Sequence, residues 1–209
     1  MSVVVKTLGL TDYEPVWRAM QAFTDARDAR TEDEIWFTEH RPVFTLGVNT
    51  APEHLLAPGD IPVVQIDRGG QVTYHGPGQL MIYPLLDLRR AGIGVRALVT
   101  ALEQSVVALA AEHGVAAASR CDAPGVYADG VKFASVGLRI RRGASFHGMA
   151  LNVDMDLEPF GRINPCGFRG LEVTDLAALG VPLTLETARQ ALLPHLLGRL
   201  DIRPPRAVA

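Results

Sequence analysis

The feature that most constrains this chain is a glycine-rich segment, residues 68–80, with the sequence Arg-Gly-Gly-Gln-Val-Thr-Tyr-His-Gly-Pro-Gly-Gln-Leu. It lies between two apolar, strand-like runs, residues 61–66 and 80–88. Glycine lets backbone N–H groups face a ligand without a Cβ in the way, so the pattern indicates close approach to a bound group. Arg68 and His75 would add a fixed charge and a titratable imidazole. A glycine-rich hairpin with an exposed arginine is the alternative interpretation.

The composition excludes several classes of protein. A chain of 209 residues that is 48% hydrophobic can form one domain with a substantial core. Its formal net charge of -3 argues against broad nucleic-acid binding, which needs a basic face. Residues 1–11 do not resemble a signal peptide, and no apolar run is long enough to cross a membrane. We therefore expect a cytoplasmic protein that binds neither nucleic acid nor membranes.

Two cysteines, Cys121 and Cys166, are present. Two cysteines form neither a disulfide framework nor a zinc site, so we expect two free thiols in a reducing cytosol and no bound metal.

Helical periodicity predicts three main helices. The first begins at a capping box that starts at Thr11, the longest covers residues 95–113, and the last covers about residues 184–200. A short helix capped by its first residue is expected over residues 174–180. Residues 203–209 are expected to form a flexible tail.

Strand-like runs account for most of the remaining chain. Pro84, inside the apolar run 81–88, predicts that this run lies at a sheet edge or contains a bulge. Turn signals at Asp129-Gly130 and near Gly143 predict a three-stranded antiparallel meander. The other predicted strands cover residues 3–5, 35–37, 43–47 and 61–66. We expect an α/β (α+β) fold, a single domain over residues 1–209, with a mixed, mostly antiparallel sheet flanked by helices.

Cys166 is the candidate nucleophile. It lies between Pro165 and Gly167, a context that presents a thiol instead of burying it as a small hydrophobic group. A thiol becomes a useful nucleophile when a neighbouring cation favours the thiolate. Lys132 is the candidate cation, and His75 or His147 could instead form a Cys–His pair with the thiol. The residues alone leave this choice open.

Four blocks of the sequence resemble the lipoyl(octanoyl) transferases of lipoate biosynthesis. Arg68-Gly69-Gly70, Thr73-Tyr74-His75 and Gly78-Gln79 together are similar to the family signature. The segment 125–137 is similar to the family's lysine-bearing segment, with Tyr127 where tryptophan is expected at least as often. Residues 147–152 are similar to the His-Gly-aliphatic-Ala-Leu-Asn segment, and Pro165-Cys166-Gly167 is similar to the cysteine motif.

The resemblance implies a fold related to the catalytic domains of biotin and lipoate protein ligases. It also implies that Cys166 carries the acyl group as a thioester, while Lys132 favours the Cys166 thiolate and then acts as a base. The residues implied to bind the substrate are Arg68, Gly69, Gly70, Gln71, Val72, Thr73, Tyr74, His75, Ser135, Val136, Gly137, Gly148, Met149 and Ala150, with His147 and Asn152 as possible further site residues.

The implied reaction moves an octanoyl group from octanoyl-acyl carrier protein to a lysine of a lipoyl domain. The acceptors would be 2-oxoacid dehydrogenase subunits and the glycine-cleavage H protein, and neither ATP, a metal nor another cofactor is implied. Acyl carrier proteins are acidic, so we expect the cluster of Arg139, Arg141 and Arg142 to help dock the donor.

Three other functions remain open on the sequence. An ATP-dependent lipoate or biotin-type protein ligase would have the same fold but would need a nucleotide site. A non-catalytic module that binds acyl carrier or lipoyl domains would not need Cys166 or Lys132. A Cys–His hydrolase would use His75 or His147 as its base.

Overall fold

The computed structural model describes residues 2–202, so the tail predicted over residues 203–209 lies outside the described residues. The strands are β1 (Val3–Thr11), β2 (Asp33–His40), β3 (Val43–Leu46), β4 (Val63–Gln65), β5 (Val72–His75), β6 (Gln79–Leu85), β7 (Ala117–Ser119), β8 (Gly125–Ala128), β9 (Val131–Arg141) and β10 (Ala144–Asn152). The helices are α1 (Tyr13–Asp25), α2 (Leu88–Ala91), α3 (Val95–Glu112) and α4 (Leu185–Arg199). Short 3-10 turns occur at Pro52–His54, Glu158–Arg162 and Pro165–Gly167.

The strands form two sheets. The large sheet has seven strands in the order β1-β2-β6-β10-β9-β8-β7, and the small sheet has the order β4-β3-β5. Among the strands of residues 2–202, only β1 with β2 and β3 with β4 are parallel pairs, and all the other pairs are antiparallel. The predicted mixed, mostly antiparallel sheet is therefore confirmed, including the meander of β8, β9 and β10.

Helices pack on both faces of the large sheet. Alternate residues of a strand point to opposite faces. Leu80 and Ile82 of β6 belong to a core cluster with the apolar residues of α3 and α4. Met81 and Tyr83 of the same strand belong to a second cluster with α1. No helix of the described part of the chain is long and apolar enough to cross a membrane.

The strand that contains Pro84 is interior, so the prediction of an edge strand is wrong. β6 lies between β2 and β10, and Pro84 is paired with Ile35 of β2. Proline has no N–H to donate to a neighbouring strand. Pro84 can lie in an interior strand because the pairing of β6 with β10 covers only Gln79 to Ile82. Beyond it, β10 is distorted at His147, whose φ of 57° is in the left-handed region. No residue is inserted there, since Ala144 of β10 is opposite Asp87 in the same register as Met149 opposite Ile82, so the bulge that proline predicts is also absent from this pair of strands.

Two predicted helix starts are also wrong. Thr11 is still part of β1, opposite His40, and the N-cap of α1 is Asp12, which forms no side-chain capping hydrogen bond. The Thr11 hydroxyl is instead within 2.9 Å of the Thr38 hydroxyl. Residues 174–180 form turns, not a helix, since the N–H of Leu176 donates to a carbonyl at the end of β10. Both errors arise because sheet contacts take the groups that local capping would use.

A buried carboxylate joins the start of β2 to two other elements. The Asp33 side chain is fully buried and accepts hydrogen bonds from Arg27 at 2.8 Å and Arg90 at 2.7 Å. The backbone N–H of Asp87, which caps α2, also donates to it at 2.8 Å. The Arg27 side chain is itself only 7% exposed, so Asp33 neutralises a charge that water does not reach.

We predict that Asp33→Asn lowers the free energy of unfolding by about 3 kcal/mol, because it leaves the buried Arg27 guanidinium without its counter-charge. Urea unfolding followed by circular dichroism measures the change. Glu158→Gln is the matched control, since Glu158 is 59% exposed and its pair with Arg162 should contribute less than about 1 kcal/mol. Equal effects of the two variants would show that Asp33 is not a structural link.

Candidate active site

A cavity of about 420 Å³ lies against the face of the large sheet on which α1 packs. Its walls come from the glycine-rich segment and from β6, β9 and β10. Two of its lining residues, Val95 and Phe168, are 45% and 41% exposed, whereas Tyr13 and Tyr83 are 4% and 1% exposed. The cavity therefore opens to solvent near Phe168 and is closed near the two tyrosines.

The structure brings most of the predicted site residues to this cavity. Those that line it are Arg68, Gly69, Gly70, Gln71, Val72, Thr73, His75, Ser135, Val136, Gly137, His147, Gly148, Met149, Ala150 and Cys166. Tyr74 is outside the cavity wall, where its ring packs against Phe44 and Phe160. Asn152 is also outside it and accepts a hydrogen bond from Gln79 at 2.9 Å.

Cys166 and Lys132 are in direct contact. The Lys132 ammonium donates to the Cys166 sulfur at 3.1 Å and to the carbonyl of Pro124 at 3.0 Å. Lys132 itself is 1% exposed, and its Nζ lies 5.3 Å from the centroid of the Tyr127 ring. A buried ammonium in contact with a sulfur is the arrangement that a cysteine nucleophile with a neighbouring cation requires.

Neither candidate histidine is the partner of Cys166. The ring nitrogens of His75 are bonded to Gln79 at 2.7 Å and to Thr45 at 3.2 Å. Those of His147 face Asp67 at 3.0 Å and the hydroxyl of Tyr13 at 3.4 Å. Both imidazoles are therefore hydrogen-bonded to other groups. The sequence left open whether a lysine or a histidine contacts Cys166, and the structure places Lys132 there.

Two backbone features present these side chains. Cys166 has a φ of 57°, the left-handed region that residues with a Cβ rarely occupy, and it lies in the tight turn Pro165–Gly167. Gly125 of β8 makes room for the lysine. A Cβ at Gly125 would lie 2.6 Å from the Lys132 Cε and 2.2 Å from the Ala134 carbonyl oxygen, so only glycine fits.

The glycine-rich segment contains two N–H groups beside the cavity that have no partner in the described part of the chain. Carbonyls at Arg68, Gly70 and Gln71 accept hydrogen bonds from the N–H groups of the loop after β3, residues 47–49. No acceptor within residues 2–202 is bonded to the N–H of Gly70 or Gln71. Gln71 also lies beside the nucleophile turn, since its Cγ would be 3.0 Å from a Cβ at Gly167. Donors without partners next to a nucleophile are suited to an oxyanion.

Arg68 is held rigidly beneath this segment. One guanidinium nitrogen donates to the carbonyl and to the hydroxyl of Thr45 at 2.9 and 3.0 Å, and another donates to the Gly69 carbonyl at 3.1 Å. Burial lowers the pKa of Arg68 from its usual value. The Arg68 side chain lies against Gly137, where an added Cβ would be 3.1 Å from its Cδ. Arg68 is thus a buried cavity residue, and the alternative of an exposed hairpin arginine is wrong.

Sequence reasoning missed an acidic residue behind the cavity. Asp67 accepts hydrogen bonds from Trp17 at 2.8 Å and Gln21 at 3.2 Å, and it contacts His147. Burial alone would raise the pKa of Asp67, but these hydrogen bonds together hold it well below the usual range. The negative charge keeps His147 and α1 in place. Nothing in the sequence identified Asp67, since its partners lie far away along the chain.

Cavity residues Met81 and Tyr83 were missed for a different reason. They are alternate residues of β6, and strand alternation would have placed them on one face.

The predicted docking cluster lies elsewhere, since none of Arg139, Arg141 and Arg142 lines the cavity. Arg141 pairs with Asp25 at 2.8 Å, and Arg142 donates to the Asp25 carbonyl at 2.9 Å. Part of this cluster therefore stabilises the end of α1.

Comparison with known proteins identifies the family of this chain. Residues 12–197 match the lipoyl protein ligase A/B catalytic domain. The chain is 59% identical over 196 residues to an octanoyltransferase of Chromobacterium violaceum, covering 94% of this chain and 95% of that protein. It is 66% identical over 175 residues to an octanoyltransferase of Saccharophagus degradans, covering 84% and 81%. The chain belongs to the octanoyltransferase family.

Solved structures confirm the fold expected for an octanoyltransferase. A bipartite lipoate protein ligase from Thermoplasma acidophilum superposes with a TM-score of 0.72 at 18% identity, covering 97% of this chain and 85% of that one. A biotin protein ligase from Aquifex aeolicus gives a TM-score of 0.56 at 12% identity, covering 96% and 69%. The predicted relation to biotin and lipoate ligase catalytic domains is therefore confirmed at the level of the fold.

Two histidines of this octanoyltransferase are buried in neutral form next to the closed end of the cavity. Burial lowers the pKa of His40 to about 4, and burial also lowers the pKa of His75 well below its usual value. His40 hydrogen-bonds the Tyr83 hydroxyl at 2.8 Å, and the His75 ring stacks on Tyr13 at 5.3 Å. Protonating either imidazole would place an unpaired charge among buried aromatic rings.

We predict that the free energy of unfolding falls as the pH is lowered from about 6.5 to about 4. In this range the unfolded chain binds protons at both imidazoles and the folded chain does not, so each unit of pKa difference removes about 1.4 kcal/mol. Urea unfolding at a series of pH values measures the slope. His40→Gln should flatten it.

The control for this pH dependence is Met20→Ala. Met20 is fully buried in the apolar cluster that contains Tyr13 and Tyr83 but carries no titratable group, so its truncation should lower the free energy of unfolding at every pH and leave the slope unchanged. If His40→Gln keeps the full slope as well, the buried His40 imidazole is not one of its sources.

Proposed function

We propose that this chain transfers an octanoyl group from octanoyl-acyl carrier protein to a lysine of a lipoyl domain, through a thioester on Cys166. The observation that carries the proposal is the 3.1 Å contact between the buried Lys132 ammonium and the Cys166 sulfur beside an apolar cavity. The identity of 58–66% to octanoyltransferases supports the acyl group and the pathway. The proposed acceptors are 2-oxoacid dehydrogenase subunits and the glycine-cleavage H protein.

In the first half-reaction the Cys166 thiolate attacks the thioester carbonyl of the donor. A carbon–sulfur bond forms to Cys166, the bond to the pantetheine sulfur breaks, and the Lys132 ammonium gives its proton to the departing thiolate. The acyl chain then occupies the cavity, while the pantetheine arm lies at the open end near Phe168. Lys132 is left neutral beside the acyl-enzyme.

Backbone N–H groups stabilise the tetrahedral intermediate. The N–H of Gly167 is already bonded to the Asn164 carbonyl at 2.9 Å, so it is a poor oxyanion donor. Gly70 and Gln71 line the cavity next to the nucleophile turn, and their N–H groups have no acceptor within residues 2–202, so these two groups are the better candidate donors. Donors held in place before the reaction need no reorganisation when charge develops on the carbonyl oxygen.

In the second half-reaction the acceptor lysine attacks the acyl carbon. Neutral Lys132 takes the proton of the attacking amine, a nitrogen–carbon bond forms, and the Cys166 thiolate leaves. Both starting groups of the enzyme are regenerated. Thioester exchange is nearly isoenergetic and amide formation is downhill, so we propose that neither ATP nor a metal takes part. A reducing cytosol would keep the thiol available.

An ATP-dependent ligase on the same fold is the second candidate. Lipoate-protein ligase A bound with ATP superposes with a TM-score of 0.73, covering 97% of this chain and 87% of that one, but 17% identity supports a shared fold and not a shared reaction. The Lys132–Cys166 pair has a chemical role in the transferase and none in a ligase that activates its substrate as an adenylate. The transferase is therefore preferred.

We predict that Cys166 becomes octanoylated on mixing with octanoyl-acyl carrier protein, and that a lipoyl domain then discharges the adduct. Intact-protein mass spectrometry measures both steps. Cys166→Ser should give no hydroxylamine-labile adduct and should lower transfer by at least a factor of about 10³, because an alcohol beside an ammonium is a far weaker nucleophile than a thiolate.

Lys132→Met should slow the acylation of Cys166 at neutral pH. At high pH, where a thiol ionises without a neighbouring cation, part of the acylation rate should return.

The control for the adduct is Cys121→Ser, since Cys121 is exposed and does not line the cavity. It should be acylated like the wild type. Near-normal transfer by Cys166→Ser would contradict the acyl-enzyme, and binding of both carriers without any transfer would point to a non-catalytic module.

We also predict that transfer needs no nucleotide or metal. Octanoylation of a lipoyl domain should proceed at the same rate with apyrase and EDTA as without them, because the donor thioester is already activated. The measurement is the mass of the lipoyl domain over time. Release of free octanoate in place of the modified domain would indicate a hydrolase, and a requirement for ATP with free octanoate as substrate would indicate a ligase.

A further inference from the structure

The cavity has a direction, from an exposed opening to a buried end. Val95 and Phe168 at the opening are 45% and 41% exposed. Tyr13, Met81 and Tyr83 at the other end are 4%, 3% and 1% exposed. Cys166 is two residues from Phe168, so an acyl chain on its sulfur enters the interior of the cavity by extending toward the buried end.

The strand register shows what the chain passes over. Gly125 of β8 is paired with Ser135 of β9, Ser135 with Ala150 of β10, and Ala150 with Met81 of β6. Residues paired directly across antiparallel strands lie on the same face of the sheet. These four residues therefore form a single row across the sheet, which we call the cross-strand row. Three small residues are followed by one large residue.

The Gly125 end of the cross-strand row lies at the reactive pair. A Cβ at Gly125 would be 3.2 Å from the Lys132 Nζ, which is 3.1 Å from the Cys166 sulfur. Glycine, serine and alanine leave open space above the sheet, whereas methionine fills it. The first side chain that can block an acyl group leaving Cys166 along this row is Met81.

We propose that Met81 is the stop that contacts the terminal methyl of the acyl chain and thereby limits its length. This inference rests on the proposed acyl-enzyme at Cys166. The stop is supported from behind, because Tyr83 is held by His40 at 2.8 Å and Tyr13 packs in the same cluster. Closely packed, hydrogen-bonded aromatic rings have little freedom to move, so they do not make space for a longer acyl chain.

The available length agrees with an eight-carbon acyl group. Three strand spacings of about 4.8 Å separate Gly125 from Met81, which is roughly 14 Å. Carbon atoms in contact stay about 4 Å apart, so roughly 10 Å remains for the chain. An extended chain covers about 1.2 Å per bond, as the polypeptide backbone does, so the eight bonds from sulfur to the terminal methyl of octanoyl span roughly 9–10 Å.

The test is the chain-length profile of Cys166 acylation with hexanoyl, octanoyl, decanoyl and dodecanoyl thioesters of pantetheine, measured by intact-protein mass. Met81→Ala removes the end of the wall and should raise the rate with dodecanoyl relative to octanoyl at least tenfold. Ala150→Val places a larger side chain earlier in the cross-strand row and should favour hexanoyl over octanoyl by a similar factor. The two variants should shift the profile in opposite directions.

Met20→Ala is the matched control. Met20 is fully buried in the same apolar cluster as Met81 but does not line the cavity, so its truncation should leave the profile unchanged. Met81→Val provides a smaller change should Met81→Ala fail to fold, and it should shift the profile in the same direction by a smaller factor.

The inference is overturned if a folded Met81 variant changes the rates of all four thioesters by one common factor, or if Met20→Ala produces the same shift. Either result would leave the acyl-enzyme intact. Wild-type protein that is acylated by none of the thioesters, nor by the acyl carrier donor, would instead overturn the proposed function itself.

Discussion

The site depends on one buried charge. Lys132 is 1% exposed, and no carboxylate lies within ion-pair distance of its ammonium in residues 2–202. Its neighbours are the Pro124 carbonyl, the Tyr127 ring and the Cys166 sulfur. A buried ammonium is costly unless hydrogen-bond acceptors or opposite charges surround it, and in the mechanism we propose the Cys166 sulfur is one of these groups. On that proposal the same contact serves both the lysine and the nucleophile.

Several features of the fold serve this contact. Gly125 leaves space for the lysine stem, and the left-handed φ of Cys166 turns its side chain toward the ammonium. The small residues of the cross-strand row then keep the sheet face open beyond the sulfur, and Met81 ends the open region. One sheet thus supplies Lys132, the floor of the cavity and the residue that we propose as its end, so the distances between them are set by strand spacing.

Short local patterns identified residues that the structure then brings together. The lysine on a strand contacts the cysteine of the Pro-Cys-Gly turn, and the glycine-rich segment lines the cavity beside them. Sequence reasoning failed at Thr11, at the predicted helix 174–180 and at the edge position of Pro84, because in each case hydrogen bonds to a distant strand outweighed the local preference. Asp67 gave no local signal, since its partners come from α1 and β10.

The sequence by itself determined the elements, the mostly antiparallel sheet, the reactive residue types and the family resemblance, because periodicity and short motifs depend on neighbours along the chain. Only the tertiary structure decided that Lys132, and neither His75 nor His147, contacts Cys166. It alone placed Met81 in one row with Ser135 and Ala150. The physical reason is that strand register and buried hydrogen bonds join residues far apart in sequence, and their pairing is settled by packing the whole sheet.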